Sequence, residues 1–161
     1  MLLTIIKGKV YRAGDNIDTD AIIPARHLMT TDGKELAKHA MEDYDKDFSK
    51  KPHDIMVAGT NFGQGSSREH APLCLKASGV KCIVAKSFAR IFFRNCINLG
   101  LPAVACEKAD EIGSEAEIDI EKGEIKSNGK TLAFKPYSKE VSEILSSGGL
   151  ISMLKKQLKE S

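Results

Sequence analysis

The residue types with the most chemical potential lie together in one short segment, 63–70, whose sequence is GQGSSREH. Its glycines let a backbone approach a ligand closely, its serines offer hydroxyl groups, and Arg68 carries a planar guanidinium suited to a carboxylate or phosphate. An apolar run at 55–58 precedes the segment and a helical pattern follows it. Because N–H groups at a helix start favour anions, we expect an anion-binding loop at the carboxyl end of a strand.

The same segment has a purely structural interpretation. Ser66 and Glu69 have the spacing of a capping box, in which the serine caps a helix and the glutamate reciprocates. Pro72 favours a helix start nearer Glu69, because a proline deep in a helix costs about 3 kcal/mol. A nucleotide-binding P-loop is excluded, since no Gly-Lys-[Ser/Thr] follows the glycines. The residues alone leave capping and ligand binding open.

The elements around this segment predict an α/β fold with a parallel βαβ core and C-terminal antiparallel hairpins. Short apolar runs at 55–58, 82–85 and 101–106 predict buried strands, separated by helical patterns of which the second is 88–99. Asn128-Gly129 predicts a tight hairpin turn, because both residues tolerate positive φ. The other predicted elements are a strand at 2–11, a helix at 33–47 with Leu36, Ala40 and Tyr44 on one face, strands at 117–120 and 124–127, and helices at 138–146 and 150–158.

Composition argues against several classes of protein. The 161 residues, 42% hydrophobic and 29% charged, predict one globular domain spanning 1–161. A net charge of +2 with scattered basic residues and 6% aromatic residues gives no reason to expect a nucleic-acid partner. Since no apolar run approaches the roughly 20 residues of a membrane span, and the first residues predict a strand rather than a signal peptide, we expect a cytoplasmic location and no membrane partner.

The four cysteines, Cys74, Cys82, Cys96 and Cys106, do not have the spacing of a metal site. None belongs to a CxxC pair, and their neighbours are apolar, whereas zinc and iron–sulfur ligands usually cluster in sequence. We therefore expect buried free thiols in a reducing compartment. On the same grounds we expect no metal and no other cofactor in this chain.

Three segments resemble, in order and spacing, the signatures of the swivelling domain of the aconitase superfamily. They are GDNIDTD at 14–20, NFGQGSSREHA at 61–71 and AKSFARIFFRN at 85–95. The resemblance extends over essentially the whole chain, whose length is similar to that of the compact archaeal and bacterial small subunits of 3-isopropylmalate dehydratases. It implies the β/β/α fold of the swivelling domain and a role as one subunit of a hydro-lyase.

The resemblance also implies roles for individual residues. Ser66 falls on the catalytic base of the family, and Ser67 and Arg68 fall on residues that bind a substrate carboxylate. Asp20 falls on an acidic residue that supports a histidine of the partner, and Arg90 lies in a segment close to the site. The implied partner is a large subunit that carries a [4Fe–4S] cluster, in a heterodimer or heterotetramer. The isolated chain should then be inactive.

Substrate choice is expected to depend on the segment after Asp20, which in the family reaches the variable end of the substrate. The residues expected to contact substrate there are Arg26, His27, Leu28, Met29 and Thr30, with Arg26 directed at either the substrate or the large subunit. Relatives that act on homoaconitate place an arginine at the position of Met29. Leu28 and Met29 instead offer apolar surface suited to an isopropyl group. The expected substrate is therefore a small branched hydroxy-dicarboxylic acid, 3-isopropylmalate, on the route to leucine.

Other functions remain open at this level. The same mechanism could act on methylmalate (through citraconate), on 2,3-dimethylmalate or on homoaconitate. A different class of function is a non-catalytic module that holds an anion in the glycine-rich loop. A third is a structural or interaction domain whose helices are merely capped. Replacement of Ser66 by alanine in the assembled complex distinguishes the enzyme from the binding module, and the third alternative predicts no partner-dependent activity at all.

Overall fold

A seven-stranded sheet organises the chain in the computed structural model, which describes residues 5–65 and 68–160. The strands are β1 (Ile5–Arg12), β2 (Ile55–Ala58), β3 (Cys82–Ala85), β4 (Ala103–Ala105), β5 (Glu115–Asp119), β6 (Glu124–Ser127) and β7 (Lys130–Ala133). The α-helices are α1 (Thr19–Ile22), α2 (Gly33–Ala37), α3 (His70–Ala77), α4 (Arg90–Asn98), α5 (Lys139–Ser146) and α6 (Leu150–Glu160). Short 3-10 helices lie at Ala25–His27, Phe48–Lys50 and Ala109–Glu111.

The sheet has a parallel half and an antiparallel half. Its order is β4-β3-β2-β1-β5-β6-β7, parallel from β4 to β1 and antiparallel from β1 to β7. This arrangement confirms the predicted α/β fold with a parallel core and C-terminal hairpins. Met56 and Ile83 belong to the hydrophobic cluster beneath the helices, whereas Ile55 and Val84 belong to a second cluster. Since Ile118 of β5 also lies in the second cluster, the antiparallel half curls over the other face of the parallel strands.

The predicted Asn-Gly hairpin is present between β6 and β7. Ser127 pairs with Lys130, and the two residues between them, Asn128 and Gly129, have φ values of 51° and 71°. Two consecutive positive φ values are those of a type I′ turn, whose twist matches that of the flanking strands. Local turn chemistry alone thus decides the register of this hairpin.

The predicted helix at 33–47 is wrong beyond Ala37, where α2 ends. The chain continues in turns, and Met41 has a φ of 59°, which no right-handed helix accommodates. The Met41 side chain is fully buried and its N–H donates to the carbonyl of Ile22 at 2.7 Å. This contact with α1 therefore outweighs local helix propensity. Tyr44, predicted on the buried face, is 42% exposed.

Helix α3 begins at His70, with Glu69 at its N-cap position and no side-chain cap among the described residues. The predicted start near Glu69 is confirmed. The N-cap residue is thus Glu69, and Ser66, the serine of the predicted capping box, lies outside the described residues. Pro72 falls in the first turn, where proline is tolerated because the N–H there has no intrahelical partner.

The remaining predicted elements are present, with ends that differ by a few residues. The helix predicted at 88–99 is α4, and the strand predicted at 101–106 is the shorter β4. Differences of this size are usual, because terminal turns fray. Among the helices of residues 5–65 and 68–160, none has the length and apolarity needed to cross a membrane.

Candidate functional site

The loops that follow β1, β2 and β3 are joined to one another at the carboxyl ends of these strands. Thr19 donates its backbone N–H to the carbonyl of Gln64 at 2.8 Å, which ties the first loop to the second. Phe62 donates its N–H to the carbonyl of Ser87 at 3.0 Å, which ties the second loop to the third. The three segments that carry the resemblance therefore meet in one place, although they are far apart in sequence.

The glycine-rich loop rests on aromatic rings. A Cβ at Gly63 would lie 2.1 Å from Cγ of Phe92, and the φ of Gly63 is +86°. The ring of Phe92 packs edge-on against Phe62 at 5.3 Å between centroids, and Phe62 in turn meets Phe88 at 6.1 Å. Only glycine fits at position 63, because both the close contact and the backbone conformation exclude a side chain.

A pocket of about 330 Å³ opens beside these joined loops. Its lining residues come from the loop after β1, from α1 and the 3-10 helix that follows, and from the glycine-rich loop with the first turn of α3. They are Asp18, Thr19, Asp20, Ile23, Ala25, Leu28, Gly65, Arg68, His70 and Ala71. A guanidinium, an imidazole and two carboxylates thus share a wall with aliphatic side chains. Such a lining suits a small organic acid with an apolar substituent.

Two aspartates shape one wall of the pocket. Asp18 caps α1, since its Oδ1 accepts the backbone N–H of Ala21 at 2.8 Å. Asp20 Oδ1 accepts the N–H of Ala25 at 2.9 Å and so holds the start of the 3-10 helix. Because the Asp20 side chain is exposed, a group of a partner protein can also reach it.

The structure brings together some of the residues predicted for the site. Asp20, Leu28 and Arg68 all line the pocket. Ser66 and Ser67, predicted as base and carboxylate-binding residue, lie outside the described residues, between Gly65 and Arg68 in the chain. Gly65 and Arg68, the residues that flank the two serines in the sequence, both line the pocket.

Other predicted residues lie elsewhere. Met29 is 96% exposed and lines, with Thr30 and His27, a separate pocket of about 220 Å³. Of these two pockets, we refer to the one of about 330 Å³ as the larger pocket. Arg90 is the exposed first residue of α4 and does not line it. Of the five residues predicted to contact substrate at 26–30, Leu28 alone therefore lines the larger pocket.

Arg26 and His27 face a chain segment rather than the larger pocket. The guanidinium of Arg26 binds Asp43 through two hydrogen bonds, at 2.7 and 3.0 Å, and reaches Glu42 Oε1 at 3.0 Å. These hydrogen bonds, chiefly that to Asp43, raise the pKa of Arg26. His27 Nε2 lies 2.5 Å from the same oxygen of Glu42. The turns after α2 thus hold the two basic side chains.

Sequence reasoning missed His70. It lines the larger pocket, and both its ring nitrogens are shielded from solvent and have no hydrogen-bond partner among residues 5–65 and 68–160. A buried polar atom without a partner costs about 1–3 kcal/mol, so a bound ligand or water is expected to supply one. The signal was available, since His70 stands two residues after Arg68 in the glycine-rich motif. Ile23 and Ala71 gave no such signal, because only the packing of α1 on α3 brings them to the pocket.

The cysteines do not fit the ligand set of an iron–sulfur cluster. All four are free and buried, as predicted. Burial raises the pKa of Cys74 to about 12 and raises those of Cys82 and Cys96 as well. Cluster ligation requires thiolates, which these surroundings disfavour. The residues of this chain therefore offer no cysteine site for the cluster that the resemblance implies.

Comparisons with known proteins extend over nearly the whole chain. The family described as Aconitase C-terminal domain matches residues 3–109. The chain is 55% identical to the 3-isopropylmalate dehydratase small subunit of Caldicellulosiruptor bescii, over 97% of this chain and 98% of that protein. It is 52% identical to the isopropylmalate/citramalate isomerase small subunit of Methanocaldococcus jannaschii, over 98% of each chain.

A solved structure shows the same fold. The crystal structure of 3-isopropylmalate dehydratase from Methanocaldococcus jannaschii has a TM-score of 0.90 and 46% identity, covering 98% of this chain and 99% of that chain. These matches confirm the resemblance drawn from the three motifs. The chain therefore belongs to the aconitase C-terminal domain family, among the small subunits of 3-isopropylmalate dehydratase.

Proposed function

We propose that this chain is the small subunit of a hydro-lyase that interconverts 2- and 3-isopropylmalate by dehydration and rehydration, a step toward leucine. The observation that carries the proposal is the pocket at the meeting point of the three motif loops. Its lining includes Gly65 and Arg68, which flank Ser66 and Ser67 in the sequence. The names of relatives at 52–55% identity support the same reaction and a larger partner subunit.

The reaction needs three groups. A base must remove a proton from the carbon next to a carboxylate, a second group must accept the departing hydroxyl, and cationic or N–H donors must hold the carboxylates. We assign the base to Ser66 and the carboxylate clamp to Ser67 and Arg68, whose guanidinium forms two parallel hydrogen bonds with a carboxylate. After water leaves and a C=C bond forms, water adds in the opposite sense, and Ser66 returns its proton to the neighbouring carbon.

A serine acts as a base only where its alkoxide is stabilised. The N-terminus of α3, which follows the serine loop, supplies about 0.3–1 kcal/mol and at most about 2. At 1.36 kcal/mol per pKa unit, this lowers the pKa of the hydroxyl by about one unit, which is too little. Arg68 and positive charge from the partner must supply the rest. The isolated chain is therefore expected to be inactive.

We assign the iron–sulfur cluster to the large subunit, in a heterodimer or heterotetramer. The cysteines of this chain are buried as thiols and do not fit a cluster. The group that accepts the hydroxyl is thus contributed by the partner, and this chain contributes binding and proton transfer. Free buried cysteines also fit the reducing cytoplasm.

Aliphatic side chains favour a branched substrate. Ile23, Leu28 and Ala71 line the pocket, and burial of an isopropyl group against such surface stabilises the complex by about 2 kcal/mol. A second carboxylate, as in homoaconitate, would lose several kcal/mol without a cationic partner there. Isopropylmalate is therefore favoured over homoaconitate.

A second candidate is the same reaction on methylmalate through citraconate. It is favoured by the relative from Methanocaldococcus jannaschii that is named an isopropylmalate/citramalate isomerase. Loss of two carbons from the apolar substituent weakens binding by about 1.6 kcal/mol, or about 15-fold in kcat/KM. We expect 2,3-dimethylmalate to fall between the two.

The test is anaerobic purification of the tagged chain from its native lysate, followed by an assay of 3-isopropylmalate dehydration. We expect an iron–sulfur protein to co-purify with turnover. In the assembled complex, Ser66→Ala should lower kcat at least about 100-fold. Ser152→Ala, on the exposed surface of α6, is the matched control and should change nothing. An unchanged kcat for Ser66→Ala would overturn the assignment of the base to Ser66, and absence of both a partner and turnover would favour the anion-binding module.

A further inference from the structure

Three metal-ligating side chains converge outside the larger pocket. His27 lies on the 3-10 helix after α1, and His39 and Glu42 lie in the turns after α2. His27 Nε2 is 2.5 Å from Glu42 Oε1, and His39 Nδ1 is 3.0 Å from Glu42 Oε2. The three ligand atoms lie within 4.8 Å of one another. We propose that His27, His39 and Glu42 bind a divalent first-row metal ion, with Zn²⁺ the best match.

The donor set is typical of zinc. Two imidazole nitrogens and one carboxylate are common zinc ligands, and they leave a further position for water. With bonds of about 2.0–2.2 Å, donors around a tetrahedral ion lie about 3.3 Å apart. The two observed contacts to Glu42, at 2.5 and 3.0 Å, are within about 1 Å of that spacing. Small movements of side chains therefore suffice to admit the ion.

One of those movements is a ring rotation. The rings of His27 and His39 are stacked, with centroids 3.7 Å apart and planes 8° apart, so their nitrogens point at the two carboxylate oxygens rather than at one centre. Rotation about χ2 of histidine, a broad torsion, turns a nitrogen toward the ion. Each imidazole then stays neutral by keeping its hydrogen on the nitrogen that faces away. The carboxylate exchanges two hydrogen bonds for a metal bond.

The surrounding charges favour a cation. Glu42 and Asp43 contribute two carboxylates, whereas Arg26, which binds both, contributes one positive charge. The paired hydrogen bonds of Arg26 to Asp43 hold the guanidinium beside Glu42, whose Oε1 it also contacts at 3.0 Å. A net negative charge therefore faces an incoming ion.

The cluster is open to solvent. The side chains of His27, His39 and Glu42 are 22%, 31% and 30% exposed. The pocket of about 220 Å³ that adjoins both imidazoles also has Glu35 on its wall. This gives an ion an entry path and gives water room to complete the coordination. A bound ion would lock the segment that contains Leu28 onto the turns after α2.

Titration of the chelator-treated full-length chain with ZnCl₂, followed by calorimetry, tests the proposal. We expect one ion per chain and an affinity that falls as the pH is lowered, because protonated imidazoles do not ligate. His27→Gln, His39→Gln and Glu42→Gln should each weaken binding at least tenfold. His53→Gln is the matched control, because His53 bonds to the carbonyls of Lys51 and Ser78 outside the cluster. Circular dichroism verifies that each variant folds.

A second readout locates the ion. Addition of Zn²⁺ should shift the ring NMR signals of His27 and His39 and leave those of His53 in place. Absence of binding up to millimolar Zn²⁺ would overturn the proposal and leave a hydrogen-bonded network only. Binding by His27→Gln and His39→Gln as tight as that of the unsubstituted chain would also overturn it. Neither measurement needs the large subunit or turnover, so the outcome is independent of the proposed reaction.

Discussion

Asp20 accepts the backbone N–H of Ala25 through its Oδ1 at 2.9 Å, and both residues line the larger pocket. The contact couples an acidic group of the pocket wall to the 3-10 helix that immediately precedes Leu28. The contact holds the start of this short helix in place. Leu28, which follows the helix, lines the pocket, whereas Met29 is 96% exposed.

Arginine substitutions of Leu28 and Met29 test which of the two side chains contacts the substrate. In the assembled complex, Leu28→Arg should lower kcat/KM for 3-isopropylmalate at least tenfold, because a charged side chain replaces apolar surface in the pocket. Met29→Arg, the matched control, should change it less than threefold, and steady-state kinetics measures both. The reverse order would show that Met29, the position indicated by the sequence motif, contacts the substrate in the complex.

Replacement of Gly63 by alanine should destabilise the chain strongly. The new Cβ would lie 2.1 Å from the Phe92 ring, and the residue would keep a φ of +86°. Left-handed backbone costs about 1 kcal/mol and overpacking about 1–3 more, so we expect a loss of about 3 kcal/mol in the free energy of unfolding by urea.

Gly129→Ala is the control for that loss. Gly129 also has a positive φ, +71°, but no atom lies within 4 Å of its Cβ position. The free energy of unfolding of Gly129→Ala should fall by only about 1 kcal/mol, because only the backbone conformation is unfavourable. Equal losses in the two variants would contradict the steric role assigned to Phe92.

Native cysteines should react slowly with iodoacetamide. Burial raises the pKa of Cys74 to about 12, so roughly one thiol in 10⁴ is a thiolate at pH 8, and burial also raises the pKa of Cys106. Mass spectrometry of labelled protein should find little modification in buffer and complete modification in urea. Rapid labelling of the folded chain would contradict this burial.

Acid should remove one specific contribution to stability. Hydrogen bonds from Lys51 and then Tyr11 lower the pKa of Asp45, and Tyr11 Oη donates to it at 2.8 Å. A carboxylate whose pKa is lowered by folding stabilises the fold above its unfolded pKa of about 4. That stabilisation is lost as the pH falls through the folded value.

Asp45→Asn should therefore flatten the fall in the free energy of unfolding between about pH 5 and pH 2, measured by urea titration at each pH. Asp119→Asn, at an aspartate on β5 outside this contact, serves as the comparison. In that variant the free energy of unfolding should fall with decreasing pH more steeply than in Asp45→Asn. An Asp45→Asn profile identical to that of the unsubstituted chain would contradict the assignment.

Local sequence signals correctly predicted the features that depend only on neighbouring residues. The Asn128-Gly129 turn follows from tolerance of positive φ, and the start of α3 near Glu69 follows from the restriction that Pro72 imposes. The same signals failed at 33–47. There the burial of Met41 and its hydrogen bond to Ile22 end the helical pattern, and neither contact is visible in a local window.

Patterns in the sequence predicted the parallel core, the hairpins, the glycine-rich loop with Arg68, and the family. Motif spacing and the period of apolar residues carry that information without knowledge of distant contacts. The folded chain was needed to show that Leu28 rather than Met29 lines the larger pocket, and that His27 meets Glu42 across 15 residues of chain. Both features arise because the segment after α1 packs against residues that are distant in sequence, and local patterns carry no information about such contacts.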